Sequence, residues 1–76
     1  MNNADISDLK FAFAEAVKSA RKTKGLFQRE VAEKAGVEQS YLSKIERGER
    51  EPTLSVAFRI CEVLGLDIND FAKRHI

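Results

Sequence analysis

The sequence predicts an all-α fold, a compact bundle of five short helices. Apolar residues recur at helical spacing, and no segment alternates with the period of two that is typical of a half-buried strand. Four glycines stand where the apolar-periodic segments stop, which is the position that glycine favours at helix ends: Gly25, Gly36, Gly48 and Gly65. The chain is therefore expected to consist of helices joined by short turns.

The first helix is expected to begin at a cap, either Asp5 or Ser7, and to run to about Lys24 before Gly25 ends it. One face of this helix is apolar and is predicted to be buried. It consists of Leu9, Ala12, Phe13, Ala16, Val17 and Ala20. Phe11 points away from that face.

Two further helices are expected after Pro52. Thr53 is predicted to cap a fourth helix that Gly65 closes, and Asp67 is predicted to begin a short last one. The predicted core stripe of the fourth helix consists of Leu54, Ala57, Ile60, Cys61 and Leu64. The single cysteine excludes an internal disulfide, fits a reducing compartment and is expected to be inert.

Length and composition limit the function classes. The 76 residues suffice for one domain with one small core, residues 1–76, of which residues 1–6 are expected to be a flexible tail. The N-terminus is polar and acidic and no apolar run approaches about 18 residues, so we expect a cytoplasmic protein with no signal peptide and no membrane partner. There is no Ser/His/Asp set, no Cys/His cluster at metal spacing and no glycine-rich phosphate loop. No enzymatic activity, metal or cofactor is therefore expected.

Residues 28–48, QREVAEKAGVEQSYLSKIERG, carry the most specific pattern of the chain. Two short helical segments meet at Gly36, and the first has a narrow apolar stripe of Val31, Ala32 and Ala35. The two alanines are small, which lets two helices cross closely at a short turn. This layout is typical of a helix-turn-helix over about 28–48.

The second segment has two nearly opposite faces. Tyr41, Leu42 and Ile45 share the side that is expected to face the core. The other side is polar and consists of Gln39, Ser40, Ser43, Lys44 and Arg47. A helix with one side in the core and amide, hydroxyl and cationic groups on the other can enter a major groove and reach base edges. The segment is therefore expected to bind double-stranded DNA.

On these residues the chain resembles the phage-repressor-like (Cro/Xre) helix-turn-helix family. The matching residues in the motif are Gln28, Val31, Ala32, Gly36, Val37, Leu42, Ile45 and the run YLSKIERG. Outside the motif they are Phe13, Val17, Arg21, Gly25, Leu26, Pro52, Leu54, Ile60, Leu64 and Phe71. The resemblance covers roughly positions 12 to 72. It implies a lambda-repressor-like bundle of five helices that regulates transcription as a repressor, an autoregulator or both.

The predicted base-reading residues are Gln39, Ser40, Ser43 and Lys44. Gln39 can bond N6 and N7 of adenine through its amide, or it merely starts the helix. Lys44 can donate to O6 and N7 of guanine or to a phosphate. Glu38 either caps the helix and complements its dipole or accepts from N4 of cytosine.

The residues predicted to contact DNA phosphates are Gln28, Arg47, Arg50 and Thr53. The resemblance implies that Gln28 also braces Gln39. Thr53 is expected to cap its helix first and in addition to offer that helix N-terminus to a phosphate. Arg50 lies between two glutamates, and the alternative for it is a solvated loop cation.

The net charge of +1 is low for a protein that binds nucleic acid, but the cations are unevenly distributed. Between Lys18 and Arg29 there are five basic residues and no acidic one. Three more cations, Lys44, Arg47 and Arg50, cluster around the end of the second helical segment. Charge runs of this kind are otherwise ordinary solvated faces. Beside the motif, they are expected to serve DNA binding.

The resemblance also implies an internal ion pair between Arg21 and Glu46, which keeps this carboxylate from repelling phosphates. Tyr41 is expected to pack in the protein and not to stack on a base. Phe27 takes the place where the family has a capping Ser or Thr, so a capping bond worth about 0.5–2 kcal/mol is missing. The backbone or Gln28 is expected to compensate, and the Phe27 ring to pack on the first helix or to cover the core edge.

A homodimer on a palindromic operator is expected, because one reading helix contacts only a few base pairs. Candidates for its apolar surface are Val56, Phe58, Val63, Ile68, Phe71 and Ile76, and Phe11 or Phe27 can serve a partner surface as well. The alternative is a protein-interaction module with the same fold, for example an antitoxin that masks a toxin. The partner protein is then a toxin or a polymerase.

Overall fold

Five α-helices joined by short turns make up the computed structural model, which describes the backbone of residues 3–75 and the side chains of residues 9–71. The helices are α1 (Asn3–Thr23), α2 (Gln28–Ala35), α3 (Gln39–Glu46), α4 (Leu54–Leu64) and α5 (Ile68–His75). No strand occurs over residues 3–75, so the predicted all-α fold of five helices is confirmed. No helix in this part of the chain has an apolar stretch long enough to cross a membrane.

The first helix begins earlier than the sequence predicts. α1 starts at Asn3, whereas a cap is predicted at Asp5 or Ser7. Residues 3–6, which are expected in a tail, therefore belong to the helix. No glycine or proline occurs in this part of the sequence, so nothing stops the helix from extending toward the N-terminus. Residues 1–2 of the expected tail lie outside the described part of the chain.

The predicted starts of α4 and α5 are confirmed. The Oγ1 atom of Thr53 accepts a hydrogen bond of 3.2 Å from the backbone N–H of Val56, which caps α4. The Oδ1 atom of Asp67 accepts from the N–H of Asn69 at 2.9 Å at the start of α5. Both bonds satisfy N–H groups that have no partner inside their helix.

The centre of the core is formed by four helices. Its largest fully buried side chains come from α1, α2, α3 and α4, and they are Val17, Val31, Leu42, Ile45, Ile60 and Leu64. α5 joins them through Phe71, whose ring packs edge to face on Phe13 with the centroids 5.3 Å apart. Cys61 is buried in this core, and burial raises the pKa of its thiol, to which the negative charge of Asp67 adds. A thiol that stays protonated is a poor nucleophile.

The buried face of α4 differs from the predicted stripe at its first turn. The sequence predicts Leu54 in the core, but Leu54 is 70% exposed. Val56, predicted as spare apolar surface, is buried instead. Leu54 is the first residue of α4, directly after the cap. Helical spacing predicts an apolar stripe but not how much of its length the neighbouring helices cover. The prediction for the first turn of α4 is therefore wrong.

The other residues predicted as spare apolar surface have different environments. Phe58 is 51% exposed, as expected. Phe71 is buried, because α5 packs against α1 and brings it onto Phe13, so its assignment to the surface is wrong. Val63 and Ile68 are half-buried against the core. The remaining candidate, Ile76, lies outside the described residues.

The turn after α3 is closed by Gly48. The N–H of Gly48 donates to the carbonyl oxygen of Ile45 at 3.0 Å, and the N–H of Glu49 donates to the carbonyl oxygen of Lys44 at 2.9 Å. Gly48 has a φ of 73°, the left-handed conformation that this turn requires. It is also buried, and a Cβ atom placed on it would lie 2.5 Å from the ring of Phe11. Phe11, which points away from the buried face of α1, thus covers this turn.

We expect Gly48→Ala to lower the free energy of unfolding more than Gly25→Ala does. Both glycines have a positive φ, so alanine at either position costs about 1–2 kcal/mol of backbone strain. A Cβ at Gly25 meets no atom within 4 Å, whereas a Cβ at Gly48 forces the half-exposed Phe11 ring to shift away from its rotamer, which adds about 0.5–1.5 kcal/mol. Urea denaturation measures both losses. Equal losses, or a difference that persists in the Phe11→Ala background, would contradict the contact.

Candidate nucleic-acid interface

The helices of the helix-turn-helix, α2 and α3, meet at a turn closed by Gly36. Gly36 has a φ of 72°, and the N–H of Val37 bonds back to the carbonyl oxygen of Ala32 at 3.0 Å. Ala32 and Ala35 are buried. α2 packs against both α3 and α4, which anchors the motif in the bundle. The predicted layout of residues 28–48 as two helices with a sharp turn is confirmed.

A buried ion pair joins α1 to α3. Arg21 donates from Nε and Nη2 to the two carboxylate oxygens of Glu46, at 2.7 and 3.0 Å. The side chain of Glu46 is 2% exposed and that of Arg21 is 12% exposed. The hydrogen bond to Glu46 raises the pKa of Arg21, burial opposes this, and the carboxylate charge adds to the rise. The ion pair that the resemblance implies is therefore present, and the negative charge of Glu46 is kept away from the outer face of α3.

Two further hydrogen bonds surround this pair. Arg21 donates from Nη1 to the carbonyl oxygen of Leu26 at 2.8 Å, and Gln28 donates from Nε2 to Glu46 at 3.1 Å. The hydrogen bond recorded for the Gln28 side chain thus goes to Glu46 and not to Gln39, the residue that Gln28 is predicted to brace. Gln28 and Gln39 nevertheless line one surface depression, together with Arg21, Phe27 and Arg29. No local sequence signal links Gln28 to Glu46, because 18 positions separate them.

The outer face of α3 contains the residues that are predicted to read bases. Gln39, Ser40 and Lys44 are exposed there, and Ser43 is half-buried. The opposite side of α3 is buried and consists of Leu42, Ile45 and Glu46. Since core packing and the ion pair hold that side, the polar face has no part in the hydrophobic core.

Arg47, predicted to contact phosphates, is engaged within the protein. It donates from Nε and Nη2 to the two carboxylate oxygens of Glu49, at 2.8 and 3.2 Å, and from Nη1 to the hydroxyl oxygen of Ser43. Both members of the pair are about half exposed, at 53% and 54%. No role is predicted for Glu49 from the sequence. The signal that points to this pair is the Gly48 turn between the two residues, which reverses the chain and brings them together.

The other two predicted phosphate contacts lie in the loop between α3 and α4. The guanidinium of Arg50 lies over the ring of Tyr41, 5.7 Å from its centroid, in a cation–π arrangement. Tyr41 is half-buried and packs against the core, as predicted. Arg50 is exposed and lies beside α3, so its phosphate contact stays a prediction and its alternative, a solvated loop cation, stays open. Thr53 uses its hydroxyl as the cap of α4, as expected.

Phe27 occupies the cap position of α2 in an extended conformation, with a φ of −83° and a ψ of 155°. Its N–H donates to the carboxylate of Glu30 at 2.8 Å, and its carbonyl oxygen accepts from the N–H of Glu30 at 3.1 Å. Glu30 and the backbone therefore compensate for the missing cap, and Gln28 does not. The ring is 69% exposed, so the expectation that it packs on α1 or covers the core edge is wrong. At this helix end the ring borders polar groups, Gln28 and Gln39 among them.

We expect Arg21→Met to lower the free energy of unfolding by about 3–5 kcal/mol, because it leaves Glu46 buried without its cation. The double variant Arg21→Met/Glu46→Met is expected to be more stable than Arg21→Met alone, since it removes the uncompensated charge. Urea denaturation of the wild type, both single variants and the double variant gives the coupling energy. If the losses of the two single variants add up to the loss of the double variant, the two groups are not coupled.

Comparison with known proteins identifies the family of this arrangement. The sequence matches the profile of the helix-turn-helix family HTH_3 over residues 17–71. The uncharacterized HTH-type transcriptional regulator y4dJ of Sinorhizobium fredii is 44% identical over 46 residues, which are 60% of each chain. The control protein C.SmaI of Serratia marcescens is 36% identical over 76 residues, which cover 97% of this chain and 90% of that protein. The chain thus spans less than two thirds of the first relative and most of the second.

A solved structure shares the fold. The crystal structure of the clp gene regulator ClgR from Corynebacterium glutamicum superposes with a TM-score of 0.78 at 34% identity, over 88% of this chain and 71% of that chain. The family match includes both helices of the helix-turn-helix and the residues of the Arg21–Glu46 pair. The chain therefore belongs to the Cro/Xre-type helix-turn-helix family of DNA-binding transcriptional regulators.

Proposed function

We propose that the chain occupies an operator that overlaps or adjoins a promoter, and that it acts there as a repressor, an autoregulator or both. The outer face of α3 carries this proposal, because Gln39, Ser40 and Lys44 are exposed while Glu46 is neutralised on the buried side. Such a helix can enter a major groove about 12 Å wide and bring these groups to base edges. DNA lies in the cytoplasm of a bacterial cell, so the cytoplasm stays the predicted compartment.

The contacts divide between bases and phosphates. We assign direct readout to Gln39, Ser40, Ser43 and Lys44. The amide of Gln39, at the first position of α3, suits adenine, a pairing worth roughly 1–3 kcal/mol of discrimination. Gln28, Arg47, Arg50 and the α4 N-terminus at Thr53 are assigned to the phosphate backbone, which sets the register of the protein on the duplex.

A second copy of the chain completes the proposed regulator. An open apolar groove of about 340 Å³ runs between α1, α4 and α5. It is lined by Leu9, Phe13, Glu51, Pro52, Leu54, Ala57, Ile68 and Phe71. Leu54 is 70% exposed although it lines this groove itself, so in a two-fold dimer each copy can insert Leu54 into the groove of the other. Phe58, also on α4 and 51% exposed, extends the apolar surface.

A protein-interaction module is the second candidate function. The observation that favours it is the ring of Phe27, which is 69% exposed and borders the start of α3. An apolar ring at this place is a poor neighbour for a phosphate but a good anchor for a protein such as a toxin or a polymerase. If this function is the main one, duplex DNA binding is weak and independent of the α3 residues.

We expect the triple variant Gln39→Ala/Ser43→Ala/Lys44→Ala to lose preferential binding to duplexes that the wild type selects from a random pool. Fluorescence anisotropy at ~0.15 M salt measures this loss. Lys34→Ala is the matched control for the lost positive charge, since Lys34 is exposed at the end of α2. Unchanged binding by the triple variant would exclude direct reading by α3 and would favour the interaction module.

We expect Leu54→Glu to convert a dimer into a monomer, because it places a carboxylate in the proposed two-fold contact. Phe27→Glu is the control, since Phe27 is as exposed as Leu54 but lies outside the groove. Sedimentation velocity measures the oligomeric state of both variants. The duplexes selected by the wild type are expected to contain inverted half-sites about one helical turn apart. A monomeric wild type, or asymmetric selected sites, would rule out the two-fold dimer.

A further inference from the structure

The carboxylate of Glu49 lies in the turn after α3 and is paired with Arg47, one of the residues assigned to phosphate contact. Glu49 accepts from Nε and Nη2 of Arg47 at 2.8 and 3.2 Å. A guanidinium binds a phosphate in the same two-point geometry. Glu49 therefore occupies one of the two edges of Arg47, the edge formed by Nε and Nη2, through which a guanidinium can bind a phosphate at two points.

The backbone turn determines the position of Glu49. Its N–H bonds to the carbonyl oxygen of Lys44 at 2.9 Å, and the preceding Gly48 is held in its left-handed conformation under the Phe11 ring. The hydrogen bond from Arg47 lowers the pKa of Glu49, and the charges of Arg47 and Lys44 add to this effect. Glu49 is therefore ionised at neutral pH and lies near two cations that are assigned to DNA contact.

We propose that Glu49 is an intramolecular competitor for DNA phosphate, and that it weakens the sequence-independent part of DNA binding by holding Arg47. This inference rests on the proposed function, because it requires that α3 approaches duplex DNA. A phosphate gains the Nε/Nη2 edge of Arg47 only by displacing Glu49, whose carboxylate then remains unpaired close to the DNA backbone. Binding to phosphates depends on salt, since each neutralised phosphate releases counterions.

The size of the effect follows from the exposure of the pair. Both side chains are about half exposed, and an exposed ion pair is weak enough for DNA to displace it. Removing the competitor should therefore tighten binding only by about two- to fivefold at ~0.1 M salt. The slope of log K against log [salt] should become steeper by about 0.9, as expected for one additional phosphate contact.

The experiment compares Glu49→Gln with Glu33→Gln. The two variants change the net charge equally, but Glu33 is exposed on α2, lies outside the apolar groove, and has no recorded ion pair among the described residues. Each variant and the wild type are titrated with a selected duplex and with a scrambled duplex of the same length, from ~0.05 to ~0.3 M salt. Glu49→Gln is expected to bind both duplexes more tightly, with the steeper slope. Glu33→Gln is expected to show a smaller change.

A second comparison tests whether the competition acts through Arg47. The double variant Arg47→Gln/Glu49→Gln is expected to bind no more tightly than Arg47→Gln alone. The inference is overturned if Glu49→Gln matches Glu33→Gln, if its gain persists without Arg47, or if the gain is confined to the selected duplex. Failure of the proposed function has a different outcome, since the wild type would then bind neither duplex and the inference would fall with it.

Discussion

The buried pair of Arg21 and Glu46 is the interaction on which the DNA-facing surface depends. Removing two charges from water is expensive, so a pair of this kind contributes little net stability. It does require accurate geometry, because both carboxylate oxygens and the Leu26 carbonyl must meet one guanidinium. Gln28 adds a hydrogen bond from α2. These bonds form together only when α1, α2 and α3 have one relative position, so the pair fixes the position of α3 in the bundle.

Electrostatics in this domain are local, which explains how a chain with a net charge of +1 can present a DNA-binding surface. The acidic residue of α3 that would repel phosphates, Glu46, is buried and neutralised. Glu30 is used in a cap at the start of α2. Glu49 differs from these two residues, since it remains exposed beside Arg47. Net charge is therefore a poor guide to function here, and the position of each carboxylate is a better one.

Local spacing was sufficient to predict most of the fold. The two helices around Gly36 and the buried positions Leu42 and Ile45 follow from helical period and glycine positions, which depend only on neighbouring residues. Errors occur where packing between distant elements determines whether a side chain is buried. Leu54 is an example, because too few neighbouring side chains cover it. In the site, the period predicts which side chains face outward. It does not predict long-range partners, such as Glu46 for Gln28, because tertiary packing brings such residues together.

The contact between Phe11 and Gly48 connects a surface residue of α1 to the turn after α3, with a consequence for how such a domain evolves. A side chain at position 48 would force the Phe11 ring to move. The two positions should therefore covary among homologues: the residues other than glycine that can adopt this left-handed turn should occur at position 48 more often where position 11 is small. A substitution on α1 can in this way alter the loop that carries Arg50 without touching DNA.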